Sequence, residues 1–199
     1  MLSIKSFTFG PFGTNTFVVS DEKKNAFLID PACYYSHEQA ALYAYLKDFH
    51  LTAIVATHGH LDHLWGAPWV CEQWSLPVLM HEADIPMAKA MQQQYDLFGI
   101  RATPQPFPME RLESSVSDFQ VMETPGHTPG SVCLYHPEEH LLFSGDTLFE
   151  MGYGRTDLPG GNMAQLITSL EHLFTLPGAT QVYPGHGGYT TISAESRGF

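Results

Sequence analysis

Positive charge is scarce in this chain: 9 lysines and arginines stand against 21 aspartates and glutamates, a formal net charge of −12 over 199 residues. A protein that grips a phosphate backbone needs clustered basic side chains, so the deficit argues against a nucleic-acid partner and for a small-molecule one. Cysteine is scarcer still. Cys33, Cys71 and Cys133 are odd in number, widely spaced and outside any Cys-x-x-Cys pair, which speaks against a disulfide framework and for buried thiols. No run approaches the roughly 18 apolar residues of a transmembrane helix. The opening Met1-Leu2-Ser3-Ile4-Lys5-Ser6-Phe7 alternates where a signal peptide would have an apolar core. The expectation is a soluble, cytoplasmic protein with no membrane partner; the sequence says nothing of oligomeric state. A Gly-x-Ser-x-Gly nucleophile elbow is also missing, and Cys133 lies inside an apolar run, so neither a serine nor a cysteine nucleophile is indicated.

What the chain does have is ordinary globular composition, 44% hydrophobic and 15% charged, at a length that fits one domain with a substantial core. Residues 2–9, 14–20 and 26–30 alternate or run apolar between turn residues and read as strands. A helix is expected over 36–49 behind a Ser36 cap, followed by the strand LTAIVAT. A second helix is expected from near Asp62 through Val70, then a strand at 76–81 and a helical stretch at 82–95. Residues 99–115 read as Pro-rich and irregular. Strands resume at 117–124, 131–136 and 140–144, followed by a Gly-rich loop, a helix at 162–174 and a strand at 180–183. The two halves echo each other, which suggests two sheets, each covered by helices, with the histidine motifs at strand ends.

Eleven histidines are present, and the densest group follows an apolar strand. Thr57-His58-Gly59-His60-Leu61-Asp62-His63 offers four donors in six residues. In extended backbone His58 and His60 point to one side, and Gly59 removes a side chain that would crowd an ion. Asp62 and His63, at the turn into a helix, project at other angles and can serve a second ion. Taken singly, each histidine reads as a satisfied core residue and Asp62 as a helix cap. Packing alone has no use for the cluster. Imidazole and carboxylate suit zinc, and also iron or manganese. Three later segments add donors on tight loops after strands: Thr124-Pro125-Gly126-His127, Ser144-Gly145-Asp146 and Tyr183-Pro184-Gly185-His186.

With these motifs the chain resembles the metallo-β-lactamase superfamily, and within it the short glyoxalase II-like thioester hydrolases, through nearly its whole length. The resemblance implies an α/β fold, a four-layer αββα sandwich of two mixed sheets flanked by helices. It implies two divalent metal ions, zinc first, with His58, His60 and His127 on one, Asp62, His63 and His186 on the other, and Asp146 bridging. It also implies a single domain over 1–199 without the added C-terminal helical domain of full-length glyoxalase II enzymes, whose basic residues contact glutathione. A metal-activated water would then attack an acyl bond such as that of S-lactoylglutathione, with Asp62 orienting it.

The loop Glu150-Met151-Gly152-Tyr153-Gly154-Arg155-Thr156-Asp157 looks like the Gly-Arg-Thr-Asp segment of short glyoxalase II-like proteins and of persulfide dioxygenases. Arg155 either meets an anionic substrate or pairs internally with Asp157 or Glu150, and Tyr153 borders the pocket. The rival readings are a mononuclear iron persulfide dioxygenase, a lactonase and a structural metal-binding domain. Structural zinc sites, however, favour closed, cysteine-rich cages, which this chain lacks.

Overall fold

The computed structural model describes residues 2–198. The chain divides into two compact units, one running to Arg111 and one starting at Leu112. Among the described residues no helix is long and apolar enough to cross a membrane.

The first unit holds a six-stranded mixed sheet. Its strands are β1 (Ser3–Phe9), β2 (Thr14–Ser20), β3 (Asn25–Ile29), β4 (His50–Val55), β5 (Val78–Met80) and β6 (Met109–Arg111), paired in that order. The first three are antiparallel and joined by short turns, whereas β3 to β6 run parallel. Parallel strands need crossover connections. These carry α1 (Ser36–Leu46), α2 (Leu61–Leu64), α3 (Ala67–Trp74), α4 (Ile85–Lys89) and α5 (Met91–Leu97). Leu42 and Leu46 of α1 and Val70 of α3 pack with Val18, Leu28, Ile54 and Val78 of the sheet. Each is fully buried, worth about 1.5–3 kcal/mol apiece.

Three expectations shift here. The 36–49 helix stops at Leu46, and its N-cap is Tyr35 instead of Ser36. Glu38 reaches back to accept the amides of Tyr34 and Tyr35, at 2.8 and 3.0 Å, and thereby fixes the helix start. The helix expected from Asp62 through Val70 is broken at Gly66, whose amide donates to the Pro31 carbonyl at 2.7 Å. The Pro-rich stretch supplies β6, which three residues of weak alternation did not betray.

The second unit pairs β14 (Thr190–Thr191), β13 (Gln181–Pro184), β10 (Leu141–Gly145), β9 (Val132–His136), β8 (Phe119–Glu123) and β7 (Ser115–Val116), in that order. Only β10 and β13 are parallel, and α6 (Met163–Leu173) makes the crossover between them. Leu166, Leu170 and Leu173 of α6 pack on Cys133, Tyr135, Leu142 and Val182. The Gly-rich loop contains a small hairpin of β11 (Leu148–Phe149) and β12 (Gly152–Tyr153), and α7 (Ile192–Glu195) follows β14. Both sheets are mixed and flanked by helices, as expected. All three cysteines are buried free thiols.

Candidate metal centre

In the first unit β4 delivers the chain to Thr57 and His58, where the backbone bends instead of remaining in the extended form expected, and His60, in extended conformation, is the N-cap of α2. His58 Nε2 and His60 Nδ1 lie 3.1 Å apart, and the His58 and His63 rings are 4.1 Å apart between centroids. Asp62 is inside α2 and does not cap it. Its Oδ2 accepts the Thr14 hydroxyl at 2.7 Å and lies 3.5 Å from His63 Nε2. All four side chains are buried.

Tautomers follow from the partners. A carboxylate only accepts, so His63 Nδ1 must donate to Asp30 Oδ2, 2.9 Å away, which leaves the Nε2 lone pair facing Asp62. Asp30 also accepts the Thr57 amide at 2.7 Å and the Thr57 hydroxyl at 2.9 Å. With its proton committed to Asp30, that hydroxyl accepts from His58 Nδ1 at 3.1 Å, so His58 too presents an Nε2 lone pair. Two imidazoles are thus set as ligands by one buried carboxylate.

In the second unit Asp146 leaves the end of β10 and His186 the end of β13. Those parallel neighbours pair Gly145 with Pro184, and the Gly185 amide donates to the Gly145 carbonyl at 2.7 Å. Strand pairing therefore brings the two residues side by side. Asp146 Oδ2 lies 3.5 Å from His186 Nε2 and 3.5 Å from His127 Nε2. His127 donates from Nδ1 to the Arg155 carbonyl at 2.7 Å, which turns its Nε2 lone pair toward Asp146. A side chain at Gly154 would run into the Asp146 carbonyl, so only glycine lets the two loops approach this closely.

Arg155 holds Asp157 in a two-point pair, Nε to Oδ1 at 2.6 Å and Nη2 to Oδ2 at 2.7 Å. Those bonds push the Asp157 carboxyl down to about 2. The guanidinium is thereby engaged internally, and its main chain, through the carbonyl, is what meets His127. Tyr153 is half exposed on β12.

A model of the metallo-beta-lactamase superfamily matches residues 9–186, which spans both units and every donor described above. The chain belongs to that superfamily. It is 37% identical to the probable metallo-hydrolase YqgX of Bacillus subtilis (strain 168), over 94% of this chain and 90% of that protein. It is 32% identical to the hydroxyacylglutathione hydrolase GloC of Haemophilus influenzae, over 94% and 91%. Among solved structures it is similar to TTHA1623 in a di-iron-bound form (TM-score 0.87, 36% identity, 97% of each chain). It is also similar to ETHE1 from Myxococcus xanthus (TM-score 0.72, 30% identity, 98% of this chain and 82% of that one). The chain is a metallo-hydrolase of this superfamily, with His/Asp clusters of the kind that bind divalent ions.

The donors fit such ions. Two ligand atoms on one tetrahedral ion, with bonds of about 2.0–2.1 Å, sit roughly 3.3 Å apart. Within the units, His58 with His60, Asp62 with His63, His127 with Asp146 and His186 with Asp146 give 3.1, 3.5, 3.5 and 3.5 Å.

The sequence did not reveal the residues that hold the donors. Besides Asp30, Thr57 and Thr14, the buried Asp84 accepts the Gly59 amide at 2.8 Å. Gln94 accepts the Leu61 amide and donates to the Gly59 carbonyl, both at 2.9 Å. Together they bracket His60 through the peptides on either side. A side chain at Gly59 would come within about 3.0 Å of the Asp84 carbonyl, so the glycine serves this clamp. Asp30 sits where its conformation is tolerated. It directly follows the apolar β3 and adopts a left-handed φ of 54°, which Asp tolerates better than most residues.

Proposed function

We propose that the chain hydrolyses thioesters with two divalent metal ions: His58, His60 and His127 hold one, Asp62, His63 and His186 the other, and Asp146 is shared. The single observation that carries this reading is the position of Asp146 Oδ2, equally 3.5 Å from two imidazole nitrogens. A structural cage has no need of a shared carboxylate oxygen, whereas a paired centre does. The ions are zinc or iron; the di-iron form of TTHA1623 supports iron as strongly as the ligand types support zinc.

When bound, the ions would acidify water and polarise the substrate carbonyl. The chain supplies the rest. Asp62, steadied by the Thr14 hydroxyl, orients the attacking water and takes its proton. The new C–O bond forms as the C–S bond breaks, and the thiol leaves as its anion, since a thiol of ordinary pKa about 8.5 needs no acid to depart. Asp30 keeps His63, and through Thr57 His58, in the ligand tautomer throughout. None of the three cysteines competes as a nucleophile: burial pushes Cys33 up to about 12 and Cys71 and Cys133 to about 11.

The likeness to GloC makes S-lactoylglutathione the first substrate to try. The test pairs its turnover with metal analysis and an oxygen electrode. Thiol release without oxygen uptake, at two ions per chain, is the expected result. The likeness to ETHE1, with the Gly-Arg-Thr-Asp loop, keeps a mononuclear iron persulfide dioxygenase as the second reading, which oxygen uptake at one iron per chain would establish instead.

A further inference from the structure

The first unit exposes a continuous run of aromatic rings. Phe98 meets Phe12 at 5.6 Å between centroids, Phe12 meets Trp65 at 5.2 Å, Trp65 meets Tyr34 at 4.8 Å and Tyr34 meets Tyr35 at 4.9 Å. Phe12, Tyr34, Tyr35 and Phe98 are 44, 40, 44 and 41% exposed. Single exposed apolar residues are ordinary, but a joined patch of rings in water is the mark of a binding surface.

Two further observations say what the patch is for. First, it is held rigid from below by a side chain that the candidate metal centre does not use. Glu38 is buried; its Oε1 accepts the Gly10 amide at 2.8 Å, and its Oε2 accepts the amides of Tyr34 and Tyr35. One carboxylate therefore anchors two of the four segments that carry the rings, those of Phe12 and of Tyr34 and Tyr35. Second, three segments that carry rings also fix candidate metal ligands. Phe12 stands two residues before Thr14, which holds Asp62; Tyr34 stands four after Asp30, which holds His63; Trp65 stands two after His63 itself. Three of the ring-bearing segments thus run directly into the residues that hold Asp62 and His63.

We infer that Phe12, Tyr34, Tyr35, Trp65 and Phe98 form the subsite for an uncharged, apolar or aromatic group flanking the scissile bond of the substrate. Charge argues for the same occupant. The segments 10–16, 30–37, 58–66 and 91–99 contain no lysine or arginine. The two carboxylates of a thiol such as glutathione find no lysine or arginine on these segments, whereas an aryl or branched alkyl group finds ring faces. The inference rests on the thioester reading for the position of the scissile bond, and it shifts the best substrates from small hydroxyacyl glutathiones to neutral, apolar thioesters.

Two measurements on the metal-loaded protein test it. In the first, S-benzyl-N-acetylcysteamine, which cannot be hydrolysed, is titrated by calorimetry; it should bind, and Phe12→Ala or Tyr34→Ala should weaken it about tenfold while Phe12→Tyr keeps it. In the second, KM is compared for acetyl and phenylacetyl thioesters of N-acetylcysteamine and for the acetyl thioester of benzyl mercaptan. The aryl group should lower KM about tenfold on the side that docks, acyl or thiol, and the alanine variants should erase that difference between aryl and acetyl substrates while circular dichroism stays native. Absence of benzyl-thioether binding, or equal binding by wild type and alanine variants, overturns the inference even if thioesters are cleaved, and then the thioester reading stands alone. Binding that the variants lose, with no thioester cleaved, upholds the apolar subsite and removes the thioester reaction.

Discussion

Asp30 and His63 form a buried carboxylate–imidazole pair, Oδ2 to Nδ1 at 2.9 Å, with side-chain exposures of 1 and 0%. Neither residue is near the other in sequence, yet the pair fixes which nitrogen of His63 is available to a metal. Asp30→Asn keeps the shape and tolerates the same backbone conformation, since asparagine also enters the left-handed region. The amide can still bond to Thr57 but no longer stabilises the donating imidazole. Metal affinity should fall about 10–100-fold, read by competition with a chromogenic chelator, while circular dichroism stays native. Unchanged affinity would remove Asp30 from the positioning of His63.

Asp146 is tested by stoichiometry. Asp146→Asn should reduce bound metal from two ions per chain to one or none by elemental analysis, abolish turnover and leave the apolar core folded. Two ions per chain in that variant would refute the sharing of this carboxylate.

Gln94 makes its bonds with both ends of one amide, so variants can separate them. Gln94→Leu abolishes both, together with the bond its amide nitrogen donates to the Met87 carbonyl at 3.2 Å, and leaves the Leu61 amide and Gly59 carbonyl without this partner. It should cost about 1–3 kcal/mol in denaturant unfolding and speed metal loss to chelator. Gln94→Glu keeps the acceptor for Leu61 but sets a carboxylate against the Gly59 carbonyl, and should fall at least as far. If both variants matched wild type in metal off-rate, the clamp on His60 would have no bearing on the site.

The buried thiols give an alkaline limit. Their folded-state values, about 12 for Cys33 and about 11 for Cys71 and Cys133, exceed the ordinary 9.0. A raised folded value stabilises fully below the unfolded value and is lost as pH climbs through the folded one, because the unfolded chain ionises first. Stability should therefore decline from about pH 9 toward 11–12. Native protein at pH 8 should react with a disulfide reagent at no thiol, and urea should release three. Rapid labelling of the native chain would contradict this burial.

The candidate donors stand out in the sequence because His58, His60, His127, Asp146 and His186 each adjoin a glycine after an apolar strand, and Asp62 and His63 follow His60 within the same short segment, a local pattern. The residues that orient them do not. Asp30, Asp84, Gln94 and Thr14 act across 25 to 48 positions of sequence, and nothing local distinguishes Gln94 from its neighbours Gln92 and Gln93. The strands over 14–20 and 132–136 are legible because β-branched and apolar residues run together between turn residues. The two-residue strands β11, β12 and β14 are not, since no periodicity can be read from two residues. The break at Gly66 escaped notice because its cause, the Pro31 carbonyl and the neighbouring Cys33 side chain, lies in another loop.

Glu38 grips two of the ring-bearing segments only through main-chain amides, which every residue except proline possesses. The side chains at positions 12, 34 and 35 therefore take no part in the bonds to Glu38, and meet neighbouring rings. A point change there can exchange one surface for another without disturbing the scaffold. Relatives sharing the anchor can thus diverge in what they accept by swapping a few rings, and the same positions are where a library designed to redirect this protein should begin.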